Sequence, residues 1–303
     1  MDMTNPPEYS KSALRAGAWA LMLLISDLPD IIFKQLTGRI PVLMPWGKIG
    51  TAAAAIVLCL VWHKLRPLVA FALVLLVFNL ALAGSAALEQ AAWWRAGLGG
   101  SKVSFAVGYI GIYLRDLGVA AAVILVLWAL KRRRSEFYLV RGDFRAPIEP
   151  VRWLGIPAGE SWRKFGWIFA GAAGLAVALP MFLPMRLPAG TMLRAAPLLP
   201  WALLFAGVNA FTEEVYFRAS LLSTLPRIIG QGQILLINAV FFGLAHYLYG
   251  SPPGVVGFLM TGFLAWLMGK AMMETRGLLW PWIIHVVPDA VIFAAYALAF
   301  AGR

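Results

Sequence analysis

The chain has 303 residues, 61% of them hydrophobic and only 13% charged. Soluble domains carry about 25% charged residues, so the composition excludes an ordinary soluble protein and points to a polytopic membrane protein. The net charge of +12 would raise nucleic acid in a soluble chain. Here the basic residues cluster between hydrophobic runs, as the positive-inside rule expects, and no soluble basic domain exists to bind nucleic acid.

In chain order, the N-terminus (MDMTNPPEYSKSALRAG) is acidic and proline-bearing, and no small-residue cleavage site follows, which argues against a removed signal peptide. The first apolar segment, residues 16–36, is interrupted by Asp27, Pro29 and Asp30. A broken crossing and an interfacial helix both fit it. Residues 49–62 form a short span that ends at His63, Lys64 and Arg66 and holds Cys59, the single cysteine, so there is no intrachain disulfide framework. Residues 67–88 carry no charge and are long enough to cross a bilayer. Residues 103–130 carry Arg115 and Asp116 in their middle, and read as one tilted helix or as two pieces meeting at Gly118.

The character then changes. Residues 131–164 hold nine of the 26 basic residues, begin KRRR and include Pro147, Pro150 and Pro157. They read as a cytoplasmic connector and a domain boundary, with Trp162 and Phe165 as interfacial anchors. Five more spans follow at residues 165–185, 198–225, 233–249, 254–273 and 279–300. The expected fold is an all-α polytopic transmembrane helical bundle of eight or nine spans. It divides into an N-terminal membrane region of three or four spans without assigned function (1–130), the basic connector (131–164) and a five-span core (165–303). With the connector inside, Arg186 and Arg194 fall outside, and Arg227, Lys270 and Arg276 fall inside. No internal repeat is visible.

Within the core, residues 195–212 are uncharged, and then Glu213 and Glu214 arrive side by side with Arg218 close behind. A charge at bilayer depth costs about 2.5–3.5 kcal/mol on insertion scales, so two adjacent carboxylates call for a role. On an α-helix Glu214 and Arg218, four apart, face each other, while Glu213 points about 100° away with no partner in its own helix. Of the three histidines, His63 reads as a boundary residue. His246 lies one turn after Phe242, and His285 precedes Asp289 by four residues with Pro288 between them. At a rise of about 1.5 Å per residue, Glu213, His285, Asp289 and His246 lie at comparable depths. They are accommodated most cheaply around a shared wet cavity. Asp27, Asp30, Arg115 and Asp116 read as helix-break residues or internal pairs, and Phe242 as packing.

There is no serine or cysteine nucleophile in a recognisable setting. A carboxylate with a histidine can activate water, and a second histidine can donate to the oxyanion formed when that water attacks an amide. The motifs EExxxR (Glu213, Glu214, Arg218), FxxxH (Phe242, His246) and HxxxD (His285, Asp289), in that order, resemble those of the CPBP (ABI) intramembrane proteases. That family includes the type II CAAX prenyl endopeptidases and bacteriocin-processing homologues, and the resemblance covers about residues 165–300.

The resemblance implies that Glu213 and His246 activate water, that His285 and the residue at 289 form the oxyanion site, and that Glu214 and Arg218, with Phe242, give structural support. The prenyl proteases carry Asn where this chain has Asp289, and an ionised aspartate would repel an oxyanion. Orientation of His285, a protonated carboxyl and a metal ligand are the alternatives for Asp289. No cofactor is expected. If zinc were present, Glu213, His246, His285 and Asp289 would make its N2O2 set, although HExxH is absent. The expected partners are the lipid bilayer and a membrane-associated peptide: a CAAX-type C-terminus, a leader peptide or a C-terminal sorting segment, cleaved at the cytoplasmic membrane. The alternatives are a non-proteolytic scaffold or immunity protein of the same fold, and a transporter or proton relay, which would want broken helices related by repeats.

Overall fold

The computed structural model describes residues 8–100 and 103–302. The first seven residues of the N-terminal stretch read above against a signal peptide lie outside them. Helices make up 79% of the structure, and no strand occurs among the described residues, as the all-α expectation requires. In chain order the α-helices are α1 (Glu8–Ile25), α2 (Leu28–Thr37), α3 (Met44–Val61), α4 (Val69–Gln90), α5 (Ala92–Gly97), α6 (Phe105–Ala129) and α7 (Trp162–Phe182). They continue with α8 (Thr191–Ala195), α9 (Leu199–Glu213), α10 (Ser220–Thr224), α11 (Pro226–Ile229), α12 (Gln231–Tyr249), α13 (Gly254–Thr275) and α14 (Leu279–Ala301). Among the described residues, eight helical stretches are long and apolar enough to cross a membrane, or nine if the bent pair α1–α2 counts as one span.

Local chemistry explains the breaks. Residues 11–25 and 28–37 meet at a 50° bend. Pro29 sits in the first turn of α2, where a missing N–H leaves no intrahelical bond unmade. Gly38, with φ of +75°, ends α2 in the left-handed conformation that glycine adopts without steric cost. The long run carrying Arg115 and Asp116 is one helix, α6, continuous through Gly118. Arg115 is neutralised by Glu89, with Nη1 2.6 Å from Oε2.

Contacts divide the chain into two compact units, each drawing segments from before and after the basic stretch. The first comprises residues 8–83, Ala122–Phe137 and Tyr216–Lys270. At its α1–α2 bend, Lys48 of α3 joins both Asp27 (3.1 Å) and Asp30, so the charges that interrupt the apolar run are paired internally. Asn238 of α12 donates to the carbonyl of Ala265 on α13 at 2.7 Å. Phe78, Tyr216, Phe217 and Phe241 form an aromatic cluster in the same unit.

The second unit comprises Gly84–Ala121, Tyr138–Val215 and residues 271–302. Here α14 packs against α7 and α9. Close approach to α7 depends on two glycines about two turns apart: a Cβ on Gly166 would lie 2.4 Å from the Trp280 ring, and one on Gly174 2.7 Å from Val287. Small residues let membrane helices approach in this way. Within this unit the basic connector is ordered rather than a free linker. Asp143 N–H donates to the Thr275 carbonyl (2.7 Å), Leu278 N–H to the Val140 carbonyl (2.9 Å), and Trp280 Nε1 to the Phe144 carbonyl (2.9 Å). Trp162, expected as an interfacial anchor, is instead fully buried, because its indole N–H finds Glu274 Oε2 at 2.8 Å. A buried indole with a satisfied N–H no longer needs the interface.

Two substitutions test this packing. Gly166→Leu should lower thermal stability by about 1–3 kcal/mol through overpacking, whereas Gly171→Leu on the same helix, with nothing within 4 Å of its added Cβ, should leave the melting temperature unchanged. Lys48→Met strands two carboxylates and should cost about 1–3 kcal/mol, below the value for a fully buried pair because the site is partly solvated. Thermal unfolding in detergent reads both.

Candidate active site

The uncharged run that ends at the two glutamates is helical from Leu199, with Pro200 in its first turn. At Glu214 the winding changes: Glu214–Ala219 is a π-helical turn, after which α10 resumes regular geometry. Such turns are rare and recur at functional sites. Neighbours on an α-helix diverge by about 100°, yet at this α–π junction both carboxylates address one imidazole. His285 Nδ1 lies 2.8 Å from Glu214 Oε1, and its Nε2 lies 3.4 Å from Glu213 Oε2. Glu213 therefore has a partner after all, supplied by α14 rather than by its own helix.

Asp289, one turn after His285 on the same helix, places Oδ2 3.7 Å from His285 Nε2. α14 runs unbroken through the buried Pro288 between them. Asn209 Nδ2 donates to that Asp289 oxygen at 2.9 Å, and the Tyr113 hydroxyl donates to Asn209 Oδ1 at 3.3 Å. Trp282 Nε1 donates to the Gly207 carbonyl at 2.8 Å, pinning α14 to α9 beside the cluster. Glu214 is fully buried and His285 and Asp289 nearly so, while the Glu213 side chain keeps 17% exposure. Glu213 is thus the least buried of these four side chains.

The geometry constrains the protons. Nδ1 of His285 faces a carboxylate oxygen and carries a hydrogen. Nε2 faces two carboxyl oxygens, so at least one further proton must reside on Nε2, Glu213 or Asp289, since three acceptors cannot face one another bare. Such a group can both accept and return a proton.

His246, Phe242 and Arg218 belong to the other unit. His246 Nδ1 is 2.9 Å from the Phe242 carbonyl, which only accepts, so Nδ1 is the donor of that contact. The Phe242 ring lies 4.3 Å from the His246 ring, and the Arg218 guanidinium lies 4.4 Å above the Phe242 ring. Arg218 is completely buried, so Phe242 does more than fill space: it stacks against a guanidinium and an imidazole. Among the described residues no group of three or more His, Cys, Asp or Glu side chains is arranged to hold a metal ion.

Residues 195–291 match the model of a family described as type II CAAX prenyl endopeptidase Rce1-like. Over this segment the chain is similar to the CAAX prenyl endopeptidases. No curated protein and no solved structure matches the chain. The matched segment brackets every motif from Glu213 to Asp289 and leaves α1 to α7 outside it.

Two residues of the cluster escape a reading by charge. Asn209 lies one helical turn before Glu213, in the run described as uncharged; an i, i+4 search for amides as well as charges finds it. Tyr113 lies outside the matched segment, and nothing local in the sequence marks it. The role of Glu214 can be separated from its charge. Glu214→Ala should lower stability by about 1–3 kcal/mol by stranding the buried Nδ1–H of His285, while Glu214→Gln keeps an acceptor and should melt within about 1 kcal/mol of the parent. Parallel melting curves decide it.

Proposed function

We propose that this integral membrane protein is an intramembrane endopeptidase that hydrolyses a peptide bond of a membrane-associated substrate with a glutamate-activated water. The cytoplasmic membrane is its proposed location. The observation that carries the reading is the placement of Glu213 and Glu214 on opposite nitrogens of His285. The glutamate with residual exposure can take a proton from water, and the fully buried one can fix the ring.

In the proposed reaction the Glu213 carboxylate removes a proton as the water oxygen bonds to the scissile carbonyl carbon. The carbonyl oxygen becomes an oxyanion, stabilised by a donor hydrogen on His285 Nε2, with Glu214 holding the imidazolium through Nδ1. Glu213 then returns its proton to the amide nitrogen as the C–N bond breaks, leaving a carboxylic acid and an amine. Asp289, held by Asn209, orients His285. The proposed substrates are a CAAX-type C-terminus, a leader peptide or a C-terminal sorting segment.

Glu213→Gln should reduce cleavage of a prenylated CAAX-type peptide in proteoliposomes by about 10²–10⁴-fold with insertion and melting temperature unchanged; parental activity in that variant overturns the reading. Asp289→Asn should retain cleavage, because an amide can still accept from Asn209 and can present an N–H to the oxyanion. Asp289→Ala should lose it. Turnover of the pair on the same peptide separates orientation from charge.

A further inference from the structure

We propose that α6, outside the matched family segment, supplies a positioning residue to the active site: Tyr113 holds Asn209, and Asn209 holds Asp289. This rests on the proteolytic reading above for its catalytic consequence, but not for the geometry. Three helices contribute one polar group each, at 3.3 Å from Tyr113 to Asn209 and 2.9 Å from Asn209 to Asp289. The Tyr113 ring is buried. It stacks on Phe205 of α9 at 5.6 Å between centroids and meets Phe293 of α14 edge-on at 5.9 Å. The helices that carry Asn209 and Asp289 thus also set the direction of the tyrosine hydroxyl.

The donor order gives the chain its function. A side-chain amide has two nearly isosteric orientations. With the Tyr113 O–H donating to Oδ1, the NH₂ must face Asp289. Flipped, the amide oxygen would confront the carboxylate, and its NH₂ would confront a hydroxyl that must then accept. Tyr113 therefore selects the orientation in which Asn209 donates to Oδ2 of Asp289, the oxygen 3.7 Å from His285 Nε2. Asn209 sits on the family segment and Tyr113 does not. It follows that residues 84–121, which fall in the same compact unit as Glu213, His285 and Asp289, belong to the catalytic unit.

The test is a double-mutant cycle on the full-length protein in proteoliposomes with a prenylated CAAX-type peptide. Tyr113→Phe keeps the ring and removes only the hydroxyl. It should lower kcat by about two- to tenfold, the worth of one neutral hydrogen bond, with KM and melting temperature unchanged. Asn209→Ala should lower kcat by about tenfold or more, and the double variant should fall no further than Asn209→Ala, because Tyr113 acts through Asn209. An unchanged kcat in Tyr113→Phe, or losses that multiply in the double variant, overturns the proposal. A second measurement is independent of cleavage: labelling of Asp289 by dicyclohexylcarbodiimide, read by mass spectrometry. It should rise at least about twofold in both single variants as the carboxyl loses its held donor, and equal labelling overturns the link. Parental cleavage by Glu213→Gln would sink the proteolytic reading alone, leaving the labelling to decide the Tyr113–Asn209–Asp289 chain.

Discussion

The imidazole of His285 is held between carboxyl groups on both of its nitrogens, at 2.8 Å on Nδ1 and at 3.4 and 3.7 Å on Nε2. In water such an arrangement would be loose and weakly coupled. Inside an apolar bundle, charge–charge and hydrogen-bond energies rise several-fold as the effective dielectric falls, and an unmatched group becomes correspondingly expensive. The cluster is therefore a constraint on everything around it. α9 must deliver two adjacent carboxylates to one ring, α14 must present His285 and Asp289 from one face, and the helices must stay close enough that no oxygen faces lipid.

The packing is arranged to meet that constraint. Gly166 and Gly174 admit Trp280 and Val287 of α14, and the indole of Trp282 closes on the Gly207 backbone at 2.8 Å. Below α14, the segment after the basic run ties its backbone to the Thr275–Leu278 turn through Asp143 and Val140. Gly142, with φ of +76°, could not carry a Cβ there, since that atom would lie 2.6 Å from the Thr275 carbonyl. What reads in one dimension as a charged linker is, in this unit, a clasp on the helix that carries the histidine. The π turn at Glu214–Ala219 has a comparable role on the other side of the cluster, because it releases the two glutamates from the divergence that regular helical winding would impose.

The similarity to the Rce1-like family model over residues 195–291 takes in every member of the cluster except Tyr113. It also sharpens what is particular to this chain. An aspartate stands at the end of the HxxxD motif, and it is held by an asparagine four residues before the glutamate pair and, through it, by a tyrosine on a helix outside the matched segment.

The spans were legible from the sequence, because a bilayer demands about 20 consecutive apolar residues wherever a helix crosses it and the chain can meet that demand only locally. The glutamate pair, the three motifs and the pairing of Asp27 and Asp30 inside the molecule were legible for the same reason: charges in apolar runs stand out one by one. What stayed hidden depended on partners distant in sequence. The shared partner of the two glutamates on α14, the burial of Trp162 against Glu274 and the hydroxyl of Tyr113 on Asn209 each join residues from different elements, up to 112 positions apart for Trp162. A pattern of period 3.6 records which face of a helix is apolar, but not which neighbour will satisfy a polar group. Only the packed helices decide that, since the cost of leaving a buried donor or acceptor unmet is assessed across the whole unit at once.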